Sequence, residues 1–196
     1  MCFVRLLLWV AVWCSGVPPL QLAAAEHVRI LPARAVVRFA GTSTLHDFGG
    51  ELPAQPFFLI LSNGTWSAAA DVLAGQMATE NTKRDRNMHQ MLGTNDHPRI
   101  HGGIATAPIP GSAGTNATLT LKIRDSSQAL AVQIMNWTET AEEIRFRAVW
   151  KLSLKQYGLN PPSVIGVIRV GDTVQLEADV TASKPAPPPG NTALTP

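Results

Sequence analysis

From residue 26 to about 183 apolar and polar residues alternate, and successive side chains of a strand point to opposite faces, so the alternation predicts half-buried strands. Ile144, Phe146, Ala148, Trp150, Leu152 and Leu154 alternate with Arg145, Arg147, Val149, Lys151, Ser153 and Lys155. Val174, Leu176, Ala178 and Val180 alternate with Gln175, Glu177, Asp179 and Thr181, and Ala117, Leu119, Leu121 and Ile123 with Thr118, Thr120, Lys122 and Arg124. The period is weaker over 36–40, 57–62, 66–74, 100–107 and 129–137. About eight strands result, separated by turn signals such as Asn63-Gly64 and Gly111-Ser112. Eight antiparallel strands with one apolar face close most simply into a barrel, which removes the sheet edges. One segment departs from the period. Thr82 is an expected N-cap with Asp85 three residues on, Met88, Met91 and Leu92 share a helical stripe, and Gly93 can end the helix. The expected fold is all-β, an eight-stranded antiparallel lipocalin-like β-barrel with one short α-helix laid on its mouth or flank.

Such a barrel is either filled by its own side chains or holds one slender ligand. The inferred inward set mixes Phe39, Trp66, Phe146 and Trp150 with Ala68, Ala70, Ala117, Ala148 and Ala178, so bulk at some levels is matched by missing volume at others. The expected lining of an apolar tunnel is Phe39, Trp66, Ala68, Ala70, Leu119, Leu121, Phe146, Ala148, Trp150, Leu152, Leu176 and Ala178, covered by Met88, Met91 and Leu92. The alternative is a dry core in which large and small residues interdigitate, leaving the outer surface to act as an interaction module. An outer-membrane barrel is disfavoured, because Tyr157 and three Trp beyond residue 25 cannot build two aromatic girdles.

Arg5, the apolar run 6–17, Pro18-Pro19 and Ala23-Ala24-Ala25 have the layout of a signal peptide, so residues 1–25 are expected to direct export to the periplasm or the outside of the cell. An apolar stretch of about 12 residues falls short of the roughly 20 needed to span a bilayer, and no stable membrane insertion is expected after cleavage. Cys2 and Cys14, the 2 cysteines, both lie in this segment. Residues 26–183 carry the barrel, and the Pro-rich residues 184–196 are an expected disordered tail. With 45% hydrophobic and 15% charged residues the chain has material for one core, and 16 Lys and Arg against 14 Asp and Glu lack the basic excess of a nucleic-acid binder.

Three segments carry a family resemblance. Thr79-Glu80-Asn81-Thr82-Lys83-Arg84-Asp85-Arg86-Asn87-Met88-His89, followed by Pro98-Arg99-Ile100, resembles the YceI-like family, in which a Thr or Asn, an Arg-Asp pair and a short helix lead into a strand opened by Pro-x-Ile. Gly41-Thr42-Ser43-Thr44-Leu45-His46-Asp47-Phe48-Gly49-Gly50 is similar to that family's first strand and turn. Tyr157-Gly158-Leu159-Asn160-Pro161-Pro162-Ser163, followed by Asp172-Thr173-Val174, is similar to its closing segment. The resemblance runs from about residue 36 to 182. It implies an extended lipocalin-like barrel, usually periplasmic, whose channel holds polyisoprenoid or other long-chain amphiphiles. His97 and Gly102 stand where the family commonly has aromatic residues, which implies a more polar or more open lining there.

The expected partner is therefore a long-chain isoprenoid or fatty-acid-type lipid; a homodimer is left undecided. Lys83, Arg84 and Arg86 at the helix start are candidates to hold an anionic headgroup, against the alternative of a solvated face. His46, His89, His97 and His101 raise a metal or enzymatic alternative, but His97 and His101 would sit about 13 Å apart on a strand, with no tight carboxylate cluster beside them. No phosphate-binding loop, paired-Cys zinc motif, nucleophile elbow or cofactor motif is present. The expectation is a non-enzymatic binding protein without metal or cofactor.

Overall fold

The structure, a computed structural model, describes residues 27–44, 46–161 and 170–185. The expected signal segment 1–25 and most of the Pro-rich tail lie outside the described residues. Nine strands and one α-helix follow in order: β1 (Arg29–Ser43), β2 (Phe48–Pro53), β3 (Phe57–Ser62), β4 (Thr65–Leu73), α1 (Thr82–Leu92), β5 (Arg99–Pro108), β6 (Thr115–Ile123), β7 (Ser126–Glu139), β8 (Glu143–Ser153) and β9 (Val170–Ser183). Single 3-10 turns sit at Ala74–Gln76 and Lys155–Tyr157.

Nine strands make eight staves. β2 pairs with Val36–Gly41 and β3 with Arg29–Ala33 along one edge of β1. Between Pro53 and Phe57 the register slips by one residue, and the kink at Ala54-Gln55-Pro56 is tied in by Ala54 N–H to Ala35 O at 2.9 Å and Gln55 N–H to Asp71 O at 2.8 Å. Every neighbouring pair is antiparallel, and β1 also pairs with β9 from Ala33↔Ala182 to Ser43↔Val170, which closes the barrel. The expected eight-stranded barrel is thus the observed one.

Three local expectations change. β1 is much longer than the alternation over 36–40 implied, and β2 was not expected, because Gly49 and Gly50 present no apolar period. A Cβ on Gly50 would lie 1.9 Å from Ala78 O and 2.8 Å from the Phe39 ring, so the close approach of the chain before α1 demands glycine there. The N-cap of α1 is Asn81 rather than Thr82: its side-chain oxygen accepts from Arg84 N–H at 3.0 Å. Asp85 instead reaches back to Thr79, accepting from its N–H at 2.8 Å and its hydroxyl at 2.6 Å. Gly93 ends the helix at φ 63° as expected. Asn63 and Gly64, both with positive φ, form the expected hairpin turn between β3 and β4.

Alternation along the staves puts the core inside, and bulges on β5 and β7 reset it. On β5, Ala105 and Thr106 are crowded opposite Ser67, so that Trp66 faces Ala107 while Ala68 faces Ile104. On β7, Asn136 and Trp137 together oppose Phe146. Ile134 is fully buried, so strict alternation would turn Asn136 inward; the bulge, with Asn136 at φ 56°, turns Trp137 inward in its place.

Candidate functional site

The interior is not filled. It holds an apolar cavity of about 450 Å³, lined by all fifteen of the residues expected as lining and cover, from Phe39 on β1 to Ala178 on β9 with Met88, Met91 and Leu92 of α1. Cross-strand register stacks this lining in levels. Leu152 faces Val174 near the mouth; beneath it Trp150, Leu176 and Phe39 are neighbours; then Ala148, Ala178 and Val37; then Phe146, Val180 and Ala35. Across the barrel Ala70 pairs with Gly102, which pairs with Leu121, so this sector carries little bulk and widens the shaft. Ala117, expected inward, packs against the core without lining the cavity.

Trp66 and Phe146 floor the far end, and Trp137, which packs against the core without lining the cavity, backs Phe146. Trp66 and Phe146 approach at 5.1 Å, Trp137 and Phe146 stack at 5.0 Å, and Trp66 and Trp137 lie 5.8 Å apart. Trp66 is held by its Nε1–H donating to Pro108 O at 3.2 Å. One level below the mouth the Trp150 Nε1–H is buried with no hydrogen-bond partner among the described residues; so, in the turn after β8 and outside the cavity lining, is the Tyr157 hydroxyl, whose pKa burial pushes up to about 12.

The mouth is where polarity enters. α1 joins the end of β4 to the start of β5 and is therefore at the end opposite the floor. Its lining residues Lys83, Arg84, Asn87, Met88, Met91 and Leu92 follow helical spacing and form one face. The apolar members lie deeper in the sequence and the cations begin the helix, so the same face that covers the shaft puts charge at its rim. Arg84 sits over the Phe48 ring at 5.2 Å. His46, Ser43 and Asn81 complete the polar rim, and among the described residues no carboxylate lines the cavity. Among the described residues no ion pair joins Lys83 or Arg84 to an acidic side chain. Arg86, two residues past Arg84, falls on the opposite side of the helix, is exposed and does not line the cavity; of the three candidate headgroup residues Lys83 and Arg84 line it.

The histidines do not converge. His46 is at the rim, His89 donates from Nε2 to Met77 O at 2.8 Å, His97 lies 3.7 Å from Asp125 and His101 lies 2.7 Å from Asp71 on the outer face. No group of three potential metal ligands occurs among the described residues. Neither His97 nor its pair intrudes on the shaft, so of the two positions departing from the family pattern only Gly102 shapes the lining. Sequence reasoning missed part of the lining, Phe48 and Asn87 at the mouth and Val37, Leu52, Ile104 and Val132 among others along the wall, and it missed Trp137 behind Phe146. Asn87 was within reach, at i+3 from Arg84; Trp137 was hidden by the bulge.

A closed antiparallel barrel with a blind apolar shaft and a cationic rim defines a lipocalin-like architecture. The model of the YceI-like domain matches residues 29–182, and the chain belongs to that family. No curated protein matches the sequence. Among solved structures, BcnA of Burkholderia cenocepacia is 13% identical, with 76% of this chain and 96% of that one covered and a TM-score of 0.62. A polyisoprenoid binding domain from Saccharophagus degradans, described as implicated in plant cell wall breakdown, is 11% identical, with 81% and 100% covered and a TM-score of 0.59. At such identities the likeness is one of fold.

Proposed function

We propose that the protein is an exported, non-enzymatic carrier that holds the tail of one polyisoprenoid or fatty-acid-type amphiphile in the barrel and its anionic head at Lys83 and Arg84. The observation that carries the reading is the segregation of the lining: among the described residues it is apolar from floor to mouth, with charge only at the rim and only of positive sign. A hydrocarbon tail gains about 0.8 kcal/mol for each methylene removed from water. An anion at the rim answers two cations that otherwise oppose the dipole of the helix they begin. The name of the Saccharophagus degradans domain supports the same ligand class, and the sequence of residues 1–25 supports export. Among the described residues no helix is long and apolar enough to cross a membrane.

The test is native mass spectrometry of protein purified without detergent, with organic extraction of any companion lipid. Ala178→Phe, which fills the level shared with Ala148 and Val37, is expected to abolish uptake while leaving the far-ultraviolet circular dichroism of the barrel intact. Lys83→Gln/Arg84→Gln is expected to weaken an alkyl phosphate about tenfold or more while sparing the corresponding alcohol. Unchanged uptake by the Ala178 variant would remove the shaft from the account.

A further inference from the structure

We infer that the aromatic floor is a length gauge, setting the accepted tail at about three isoprene units or their equivalent in acyl chain; the inference rests on the carrier reading above and goes on to name the size of its ligand. The floor is built to stay. Trp66 is 2% exposed and tied through Nε1 to Pro108 O, and Phe146 packs against both it and Trp137. Trp137 reaches that place only because the β7 bulge overrides the strand period, with Asn136 held in the left-handed region. One level below, Ile144 and Ala182 are fully buried neighbours, so the shaft does not continue.

The depth of the shaft sets the number. Leu152 at the mouth and Phe146 at the floor are six residues apart on β8, roughly 20 Å along the strand and, at the usual barrel tilt, about 15 Å along the axis. An extended chain advancing about 1.3 Å per carbon covers that depth with about 12 carbons. The cavity volume of about 450 Å³ lies in the range of sites that enclose one small or slender ligand. Three isoprene units match the depth, because they put about 12 carbons along the main chain and their methyl branches add volume without adding length. A much longer prenyl chain would have to leave the barrel or fold back within it.

The test is isothermal titration of the lipid-free protein with alkyl phosphates of eight to eighteen carbons, each below its micelle threshold, together with farnesyl and geranylgeranyl phosphate. Affinity is expected to rise about fourfold per carbon until about 12 to 14 carbons and then to flatten or reverse, with farnesyl phosphate binding more tightly than geranylgeranyl phosphate. Trp137→Ala, which removes the prop behind Phe146, is expected to move the break to longer chains. Ala35→Leu, which adds bulk at the floor level, is expected to move it to shorter ones, and it decides alone should the Trp137 variant not fold. A slope unbroken to eighteen carbons, or a break that neither variant moves, overturns the gauge and leaves the carrier standing. No binding by any probe overturns both.

Discussion

Asp85 and Gly50 show how single residues hold the mouth in shape. The Asp85 carboxylate is the only acidic group in the first turn of α1, and it is spent on Thr79, a buried polar residue that precedes the helix. Asp85→Ala leaves the Thr79 N–H and hydroxyl without that acceptor and is expected to cost about 1–3 kcal/mol, read from the midpoint of urea unfolding. Gly50→Ala acts on the other side of the same segment by driving a Cβ into Ala78 O and the Phe39 ring. Its expected result is displacement of residues 77–81, seen as faster amide exchange there than in the unsubstituted protein, in addition to lost stability. At this scale the sequence is partly legible. Met88, Met91 and Leu92 announce a buried stripe by their spacing, and extending that stripe back to Lys83 and Arg84 separates them from Arg86. The roles of Asp85 and Asn81 were not readable, since a Thr82 cap and an Asn81 cap fit the residue types equally well and only the turn geometry decides.

Among the elements, the seam where β8, β9 and β1 meet carries a pH-sensitive network. On its outer face Asp179 accepts from Arg147 Nε at 2.7 Å and from Arg38 Nη1 at 2.5 Å, joining β8, β9 and β1. Hydrogen bonding from Arg147, and then from Arg38, holds the Asp179 carboxyl below its ordinary value of 3.8 against the opposing effect of burial. The folded value is therefore the lower one, so the contribution is complete above the unfolded value and is lost as pH falls through the folded value. Asp71, lowered chiefly by His101, and Glu139, lowered chiefly by Arg29, act in the same direction. Stability is expected to fall below about pH 4, and Asp179→Asn to flatten that acid limb in thermal melts taken between neutral pH and pH 3. With the Asp179 side chain 37% exposed, solvent screening limits the neutral-pH loss to about 1 kcal/mol or less. β8 and β9, where the seam network sits, were the most legible strands because both keep strict alternation. β2 was illegible because its glycines answer a steric demand from residues distant in the chain, and the end of β7 because a bulge reverses the parity on which the reading depends.

For the whole molecule, what could be read from composition was that alanines and large aromatics share one face; whether they interdigitate or leave a void depends on their levels, which only register assigns. Ala148, Ala178 and Val37 fall together and leave the shaft open, whereas Trp66, Trp137 and Phe146 fall together and close it. A core arranged this way is incomplete as a packed object. The wall residues lose the dispersion contacts that a partner across the shaft would provide, and a tail occupying it restores them. Ligand and folding are then linked: a molecule that binds only the folded barrel stabilises it by about 2.7 kcal/mol at a hundredfold excess over Kd. For a domain of this size that corresponds to a rise of roughly 5–10 °C in Tm. Extraction of bound lipid should lower the melting temperature by this amount, and readdition of a farnesyl-length phosphate should restore it. In Ala178→Phe the protein's own ring replaces the guest, so its melting temperature should be indifferent to lipid; a shift in that variant as large as in the unsubstituted barrel would place the stabilising contact somewhere other than the shaft.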